Sequence, residues 1–314
     1  MNSNVLKKKQ ILIVAFMAVF VSLLLLSRSL IPERPITYTG SRALYDAFFA
    51  LSMWGLVFLL AGGIGLKVLR WFNLNNLTRI DRAVFGLAIG FGIIAYGVTA
   101  LGLVGILQTW AILFWLLIIA IISWREWTDI VGSTRIYLHE FQKSWRGLSL
   151  WKKLIFIATG STFFLFLFYA LAPPIDPDGL VDHLLVPKLF LQANRYFPDR
   201  EMIYANYPFT IESLFVIGMS LGSDTFPKLI HLTFGVLVFS ATFSIGRRYL
   251  GSNGGWLAMG ILLGMPIIPV WSSIQFPGKF FRARLPEDMR LNWSQNSSLS
   301  FFASSFENII SLIA

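Results

Sequence analysis

Seven apolar runs limit what this chain can become. They lie at about 10–26, 47–66, 83–107, 109–124, 154–172, 227–246 and 254–272, and each approaches the ~20 residues a helix needs to cross a bilayer. Backbone polar groups in lipid must be satisfied within the protein, and a helix does this inside one segment. The expected fold is therefore all-α, a polytopic transmembrane helix bundle of about seven spans. Charged residues make up 13% of the 314, against roughly 25% in soluble domains. Such a chain cannot hide its apolar surface in a water-soluble core. There is no cysteine, which excludes disulfides, thiolate nucleophiles and cysteine metal sites.

The net charge of +10 does not point to nucleic acid, because the basic residues are spread over loops that flank the runs. They fit the rule that positive loops stay in the cytoplasm. The first run follows Lys7, Lys8 and Lys9 and has no small-residue cleavage site after it. It reads as a retained span with a cytoplasmic amino end. Lys67, Arg70, Arg79 and Arg82 follow the second run, and Arg125, Arg135, Lys143, Arg146, Lys152 and Lys153 follow the fourth. Both loops are expected in the cytoplasm. The fifth span then runs outward, in the cell (inner) membrane, and Pro173 emerges on the outer face.

The outer segment 173–225 is the acidic part of the chain. Short juxtamembrane helices are expected around 179–194 and 209–222, with turns at Pro198 and Pro208. The second helix, TIESLFVIGMSL, is apolar but short, and is read as lying along the interface. Counting charges alone favours a crossing there. That would turn Lys228, Lys279, Arg282, Arg284 and Arg290 inward and leave only Arg247 and Arg248 outside. The glycines of the spans, with a GxxxG at Gly86 and Gly90, read as close helix packing. The stretch 125–153 reads as an amphipathic cytoplasmic surface segment. The chain divides into an amino-terminal four-span region (1–153), a core start (154–272) and an atypical tail (273–314). The tail has no clear span, and its sequons at Asn292 and Asn296 are weak patterns.

Chemistry concentrates in Pro173–Lys188, PPIDPDGLVDHLLVPK. Asp176, Asp178, Asp182, His183 and Lys188 gather at the end of a span, and ionisable groups beside hydrocarbon are by default candidates for function. Several candidates have a plainer reading. Asp178 can cap a helix, Asp176 can close an Asx-turn, and His231 and Glu212 can be ordinary interfacial residues. Asp178 and Asp182 share a helix face at i,i+4. Two like charges there suggest a divalent metal, Mg or Mn, although two carboxylates are a sparse ligand set.

The run PPIDPDGLVDHLLVPKLFLQANRYFP, followed by YANYPFTIESLFVIGMSLGSD and FPKLIHLTFGVLVFSATFSIGRRYLG, resembles the GT-C class of membrane glycosyltransferases. Its nearest likeness is to the family-39 type, the protein mannosyltransferases and lipid A aminoarabinose transferases. The resemblance covers about 154–272 and rests on order and spacing. It implies seven spans here, with 209–222 outside the membrane. It implies Asp178 as the catalytic carboxylate, with Asp176 as the second candidate because of the DPD spacing. It implies that Lys228, at the outer start of the sixth span, meets a lipid phosphate. Asp182 stands where nearer relatives carry an aromatic. After Ser273 the likeness stops, and a truncated or frameshifted product is expected.

The activity so implied moves a sugar from a polyprenyl-phosphate donor to a lipid, glycan or protein acceptor on the outer face. Asp178 would act as general base. Lys188, Lys228 and Arg195 would stabilise the leaving phosphate, and His183, Glu212 and His231 would line the substrate site. The isoprenoid would lie on Phe163, Phe164, Phe166 and Phe168, residues that lipid-facing packing also explains. Two other readings stay open: a transporter or flippase for lipid-linked saccharides, and an inactive remnant of a transferase.

Overall fold

The computed structural model describes residues 40–74, 77–172, 183–198, 206 and 209–265. Among them eight helices follow one another and no strand occurs. They are α1 Gly40–Trp71, α2 Arg79–Val104, α3 Thr109–Ile122, α4 Trp124–Arg146, α5 Leu150–Leu171, α6 Leu185–Ala193, α7 Glu212–Ser220 and α8 Phe226–Leu263. Four of these, α1, α2, α5 and α8, are long and apolar enough to cross a membrane, and the bent pair α3–α4 makes a fifth candidate. The expected span at 10–26 and the tail 273–314 lie outside the described residues.

The bundle is organised around α1 and α2. Their backbones touch: a methyl group at Gly65 would strike the Gly86 carbonyl, and one at Gly90 would strike the Ala61 carbonyl. Glycine is used here for close approach, as the GxxxG spacing suggests. Phe91, Ile94, Ile112, Phe215 and Ile230 close the core around the pair. Trp54 Nε1 donates to Thr233 Oγ1 at 2.7 Å, fixing α1 to α8.

Helix α2 opens with a capping box. The Thr78 hydroxyl accepts from the Asp81 amide, and the Asp81 carboxylate accepts from the Thr78 amide. Two of the helix's orphan donors are thereby satisfied. Helix α3 has only 14 residues, and the chain then turns by 71° into α4. The stretch read as an amphipathic surface segment is thus one helix laid across the end of the bundle. Lys67 Nζ donates to the Ile122 carbonyl at 2.5 Å, Arg70 Nη1 to Glu126 Oε1 at 3.3 Å, and Arg79 pairs with Glu140. The end of α1, the start of α2 and α4 therefore share one face, here called the basic face.

Helix α8 is a hairpin. Its 38 residues contain one non-helical position, Gly251, at φ 78° and ψ −175°. In a straight helix, Gly246 and Ala258 would lie about 18 Å apart. A Cβ on Gly246 would instead sit 2.9 Å from that of Ala258. The Phe243 and Trp256 rings meet at 5.0 Å, so 226–250 and 252–263 run antiparallel. A positive φ suits glycine, which has no Cβ to clash. The two runs expected at 227–246 and 254–272 correspond to these arms as far as residue 265.

The turn of this hairpin lies on the basic face. The Asp81 carboxylate accepts from the Ser244 hydroxyl and from Arg248 Nη2 at 3.4 Å. At the other end of the bundle, Lys228 reaches the carboxyl end of α5. The chain therefore leaves and returns on the same face between Ala172 and Lys228. Helix α7, nine residues long, does not cross; at about 14 Å it is less than half the hydrocarbon thickness. It does not lie along a surface either. Ser213 through Met219 are all buried, packed among α2, α3, α6 and α8.

Candidate functional site

The end of the bundle opposite the basic face is built from the close of α5, helices α6 and α7, and the first turns of α8. Pro187 sits in the first turn of α6, where its missing N–H costs no hydrogen bond. Asn194 ends α6 in the left-handed region at φ 55°. The backbone then joins the α2–α3 turn: the Leu107 amide donates to the Asn194 carbonyl at 2.8 Å, and the Tyr196 amide to the Gly102 carbonyl at 2.9 Å.

Lys228 has the clearest geometry. It is 4% exposed. Its Nζ donates to the carbonyl of Tyr169 at 2.7 Å and to that of Ala172 at 3.0 Å. It also lies 4.7 Å from the centre of the Tyr169 ring. Carbonyls at a helix end carry partial negative charge and lack partners within the helix. The ammonium therefore caps α5 from another helix. Any contact with a lipid phosphate would be added to this structural duty.

His183, Glu212 and His231 come together. His183 Nδ1 stands 3.0 Å from Glu212 Oε1. A carboxylate only accepts, so Nδ1 donates, and a neutral ring keeps its lone pair on Nε2. His231 leans on the Phe215 ring at 5.2 Å and lies within electrostatic reach of both His183 and Glu212. Lys228 and His231 are one helical turn apart on α8. Ala172 precedes, and His183 follows, the segment that carries Asp176, Asp178 and Asp182. These three aspartates lie outside the described residues. Both ends of their segment are thus fixed to one site: Ala172 through Lys228, and His183 through Glu212.

Lys188 pairs with Asp224, Nζ to Oδ2 at 3.3 Å and partly exposed, and so ties α6 to the approach of α8. Arg195 is exposed; its amide donates to the Phe190 carbonyl in the turn after α6. Among the described residues no group of three or more His, Cys, Asp or Glu side chains is arranged to hold a metal ion. The pair proposed for one, Asp178 and Asp182, lies outside them.

Sequence reasoning missed a buried hydroxyl network beneath Glu212. Ser213 is fully buried. Its Oγ lies 2.9 Å from Thr99 Oγ1 and 2.8 Å from the Tyr196 hydroxyl, and it donates to the Phe209 carbonyl. Burial pushes the Tyr196 phenol above its usual 10.0, against the lowering effect of the Ser213 hydrogen bond; the Glu212 carboxylate adds to the rise. Neutral and fixed, Tyr196 helps hold the first turn of α7, and with it Glu212. The only signal in sequence is the adjacency of Ser213 to Glu212. Thr99 in a span and Tyr196 after a helix carry none.

The chain matches no protein-family model, no curated protein and no solved structure.

Proposed function

We propose that this chain is a multi-pass membrane glycosyltransferase of the GT-C kind, with seven spans, its basic face in the cytoplasm and its acidic segment 173–225 outside. The observation that carries this reading is the fixing of both ends of the aspartate segment to one site at a span end, by Lys228 and by Glu212. That arrangement suits a carboxylate working on a lipid-borne substrate: Ala172 and His183, on either side of the segment, are tied to one site, where Lys228 supplies a cation.

In this reading the bond between the anomeric carbon and the donor phosphate breaks, and polyprenyl phosphate leaves with the electron pair. A bond forms between the same carbon and the acceptor's nucleophilic atom. Its proton passes to the Asp178 carboxylate, the general base; Asp176 is the alternative. Lys188, Lys228 and Arg195 offset charge on the leaving phosphate. Glu212 orients His183 within the substrate site, and His231 backs them. Mg or Mn enters only if Asp178 and Asp182 bind it.

Transport of the lipid-linked saccharide fits less well. Among the described residues the buried charges Asp81, Glu126 and Lys228 each occupy the third position of a helix. A translocation path ordinarily shows polar groups deep in the spans. The test uses the full chain in liposomes containing a labelled polyprenyl-phosphate sugar and solubilised envelope acceptors. Release of free polyprenyl phosphate, lowered about 10²-fold or more by Asp178→Asn, is the expected result. Intact donor moving between leaflets would replace the transferase with a flippase. Neither activity would leave a non-catalytic remnant.

A further inference from the structure

Helix α4 plays no part in the proposed chemistry, yet it is strongly amphipathic. Trp124, Val131, Leu138 and Phe141 are all exposed and fall in one helical stripe about 100° wide. Arg125, Lys143 and Arg146 flank that stripe on one side. Glu126, Asp129 and Glu140 lie on the far side, where they meet Arg70 and Arg79 of the bundle. The acids of α4 are thus matched within the protein, and its bases are set apart from them.

The flanking spans fix where α4 lies. It follows α3 after a 71° bend and leads through a short turn into α5, so it lies at the membrane surface. Its apolar side faces the bilayer: the Phe156 ring, inside span α5, meets Phe141 and Trp145 at 5.5 Å each. The nearby cations rest on tryptophan faces, Arg125 on Trp124 at 5.6 Å, Lys152 on Trp151 at 5.4 Å and Lys153 on Trp145 at 5.9 Å. Indole rings and basic side chains at one level are the pattern of a lipid-headgroup boundary.

We infer that α4 and the start of α5 form an anionic-lipid site on the basic face. The apolar stripe is sunk among the acyl chains, and Arg125, Lys143, Arg146, Lys152 and Lys153 bind acidic phospholipid headgroups. The occupant is the bilayer itself, because the stripe faces the same side as the first turns of a span. Acidic headgroups complement five cations whose neighbouring acids already have protein partners.

The absence of cysteine makes the test direct. A fluorophore is attached to Leu138→Cys in the full chain, and a control to Ser144→Cys, about 120° around α4 at the wheel position of Glu126. Both proteins are placed in phosphatidylcholine nanodiscs containing equal mole fractions of either brominated phosphatidylglycerol or brominated phosphatidylcholine. At position 138 the brominated phosphatidylglycerol should quench as though enriched several-fold, and position 144 should be quenched little. Enrichment should fall towards unity in 1 M salt, where the screening length is about 3 Å. It should also fall towards unity when Lys143, Arg146, Lys152 and Lys153 are together changed to Gln. Equal quenching by the two lipids in the unaltered chain would overturn the headgroup assignment. No quenching at 138 by either would make the stripe a protein-docking surface and overturn the whole inference.

Discussion

Replacing Lys228 by methionine separates its structural duty from its chemical one. Methionine keeps the unbranched stem against Tyr169 but removes the ammonium. Two hydrogen bonds from a charged donor are lost, at 2.7 and 3.0 Å, each contributing about 1.5–3 kcal/mol. The contact with the Tyr169 ring adds about 0.5–2 kcal/mol. Against this stands the removal of a buried charge, whose desolvation costs several kcal/mol. The balance is a loss of about 2 kcal/mol, or roughly 3 °C in Tm for a chain of this length. The assay is thermal unfolding of the purified protein in one detergent, followed with and without the lipid-linked donor. Lys228→Met should unfold earlier in both conditions and should also lose turnover, because Ala172 leads into the aspartate segment. A variant with unchanged Tm, full activity and normal donor affinity would refute the capping argument. A variant with unchanged Tm but a raised donor KM would assign Lys228 to the substrate alone.

Other changes probe the rest of the architecture. Tyr196→Phe should cost about 1 kcal/mol by removing one partner of Ser213, measurable as a lower Tm. The phenol titrates higher in the folded protein than its usual 10.0, so its neutral form stabilises the fold below that pH. The contribution is lost as pH rises through the folded value, and Tyr196→Phe should flatten this alkaline loss. Gly90→Ala drives a methyl group into the Ala61 carbonyl and should cost about 1–3 kcal/mol; added to Gly65→Ala it should fall short of additivity, since one helix separation relieves both clashes. A cysteine at Ser252 should react with an impermeant thiol reagent only from the cytoplasmic side, whereas labelling from outside would reverse the hairpin and require α7 to cross.

The long apolar helices among the described residues were readable because each needs only its own composition. The run at 83–107 became α2, moved to Arg79 by the Thr78–Asp81 box, and the run at 109–124 became α3 with a stop at Ile122. The turn at Gly251 falls in the gap between the runs 227–246 and 254–272, where a break was expected. The burial of α7 was not. TIESLFVIGMSL looks the same whether it lies on lipid or inside protein, and what decides is the carboxyl-terminal end of α2, more than 100 positions earlier. Lys228 was legible as a cation at a span start. Its role as a cap for α5 was hidden, because no local pattern says which distant carbonyls a lysine will meet. The Asp81 contacts with Ser244 and Arg248 were hidden for the same reason.

That last contact has a consequence in time. Asp81 and Ser244 are separated by 163 positions, which a ribosome working at about 5–20 residues per second covers in roughly 8–33 s. Throughout that interval the carboxylate at the start of α2 waits without its partners from α8. The Thr78 capping box closes within four residues, so the helix end is satisfied as soon as it is made. Asp81 can thus cap α2 early in synthesis and clasp the returning hairpin only when its turn emerges, joining the second helix of the described bundle to the last with a single side chain.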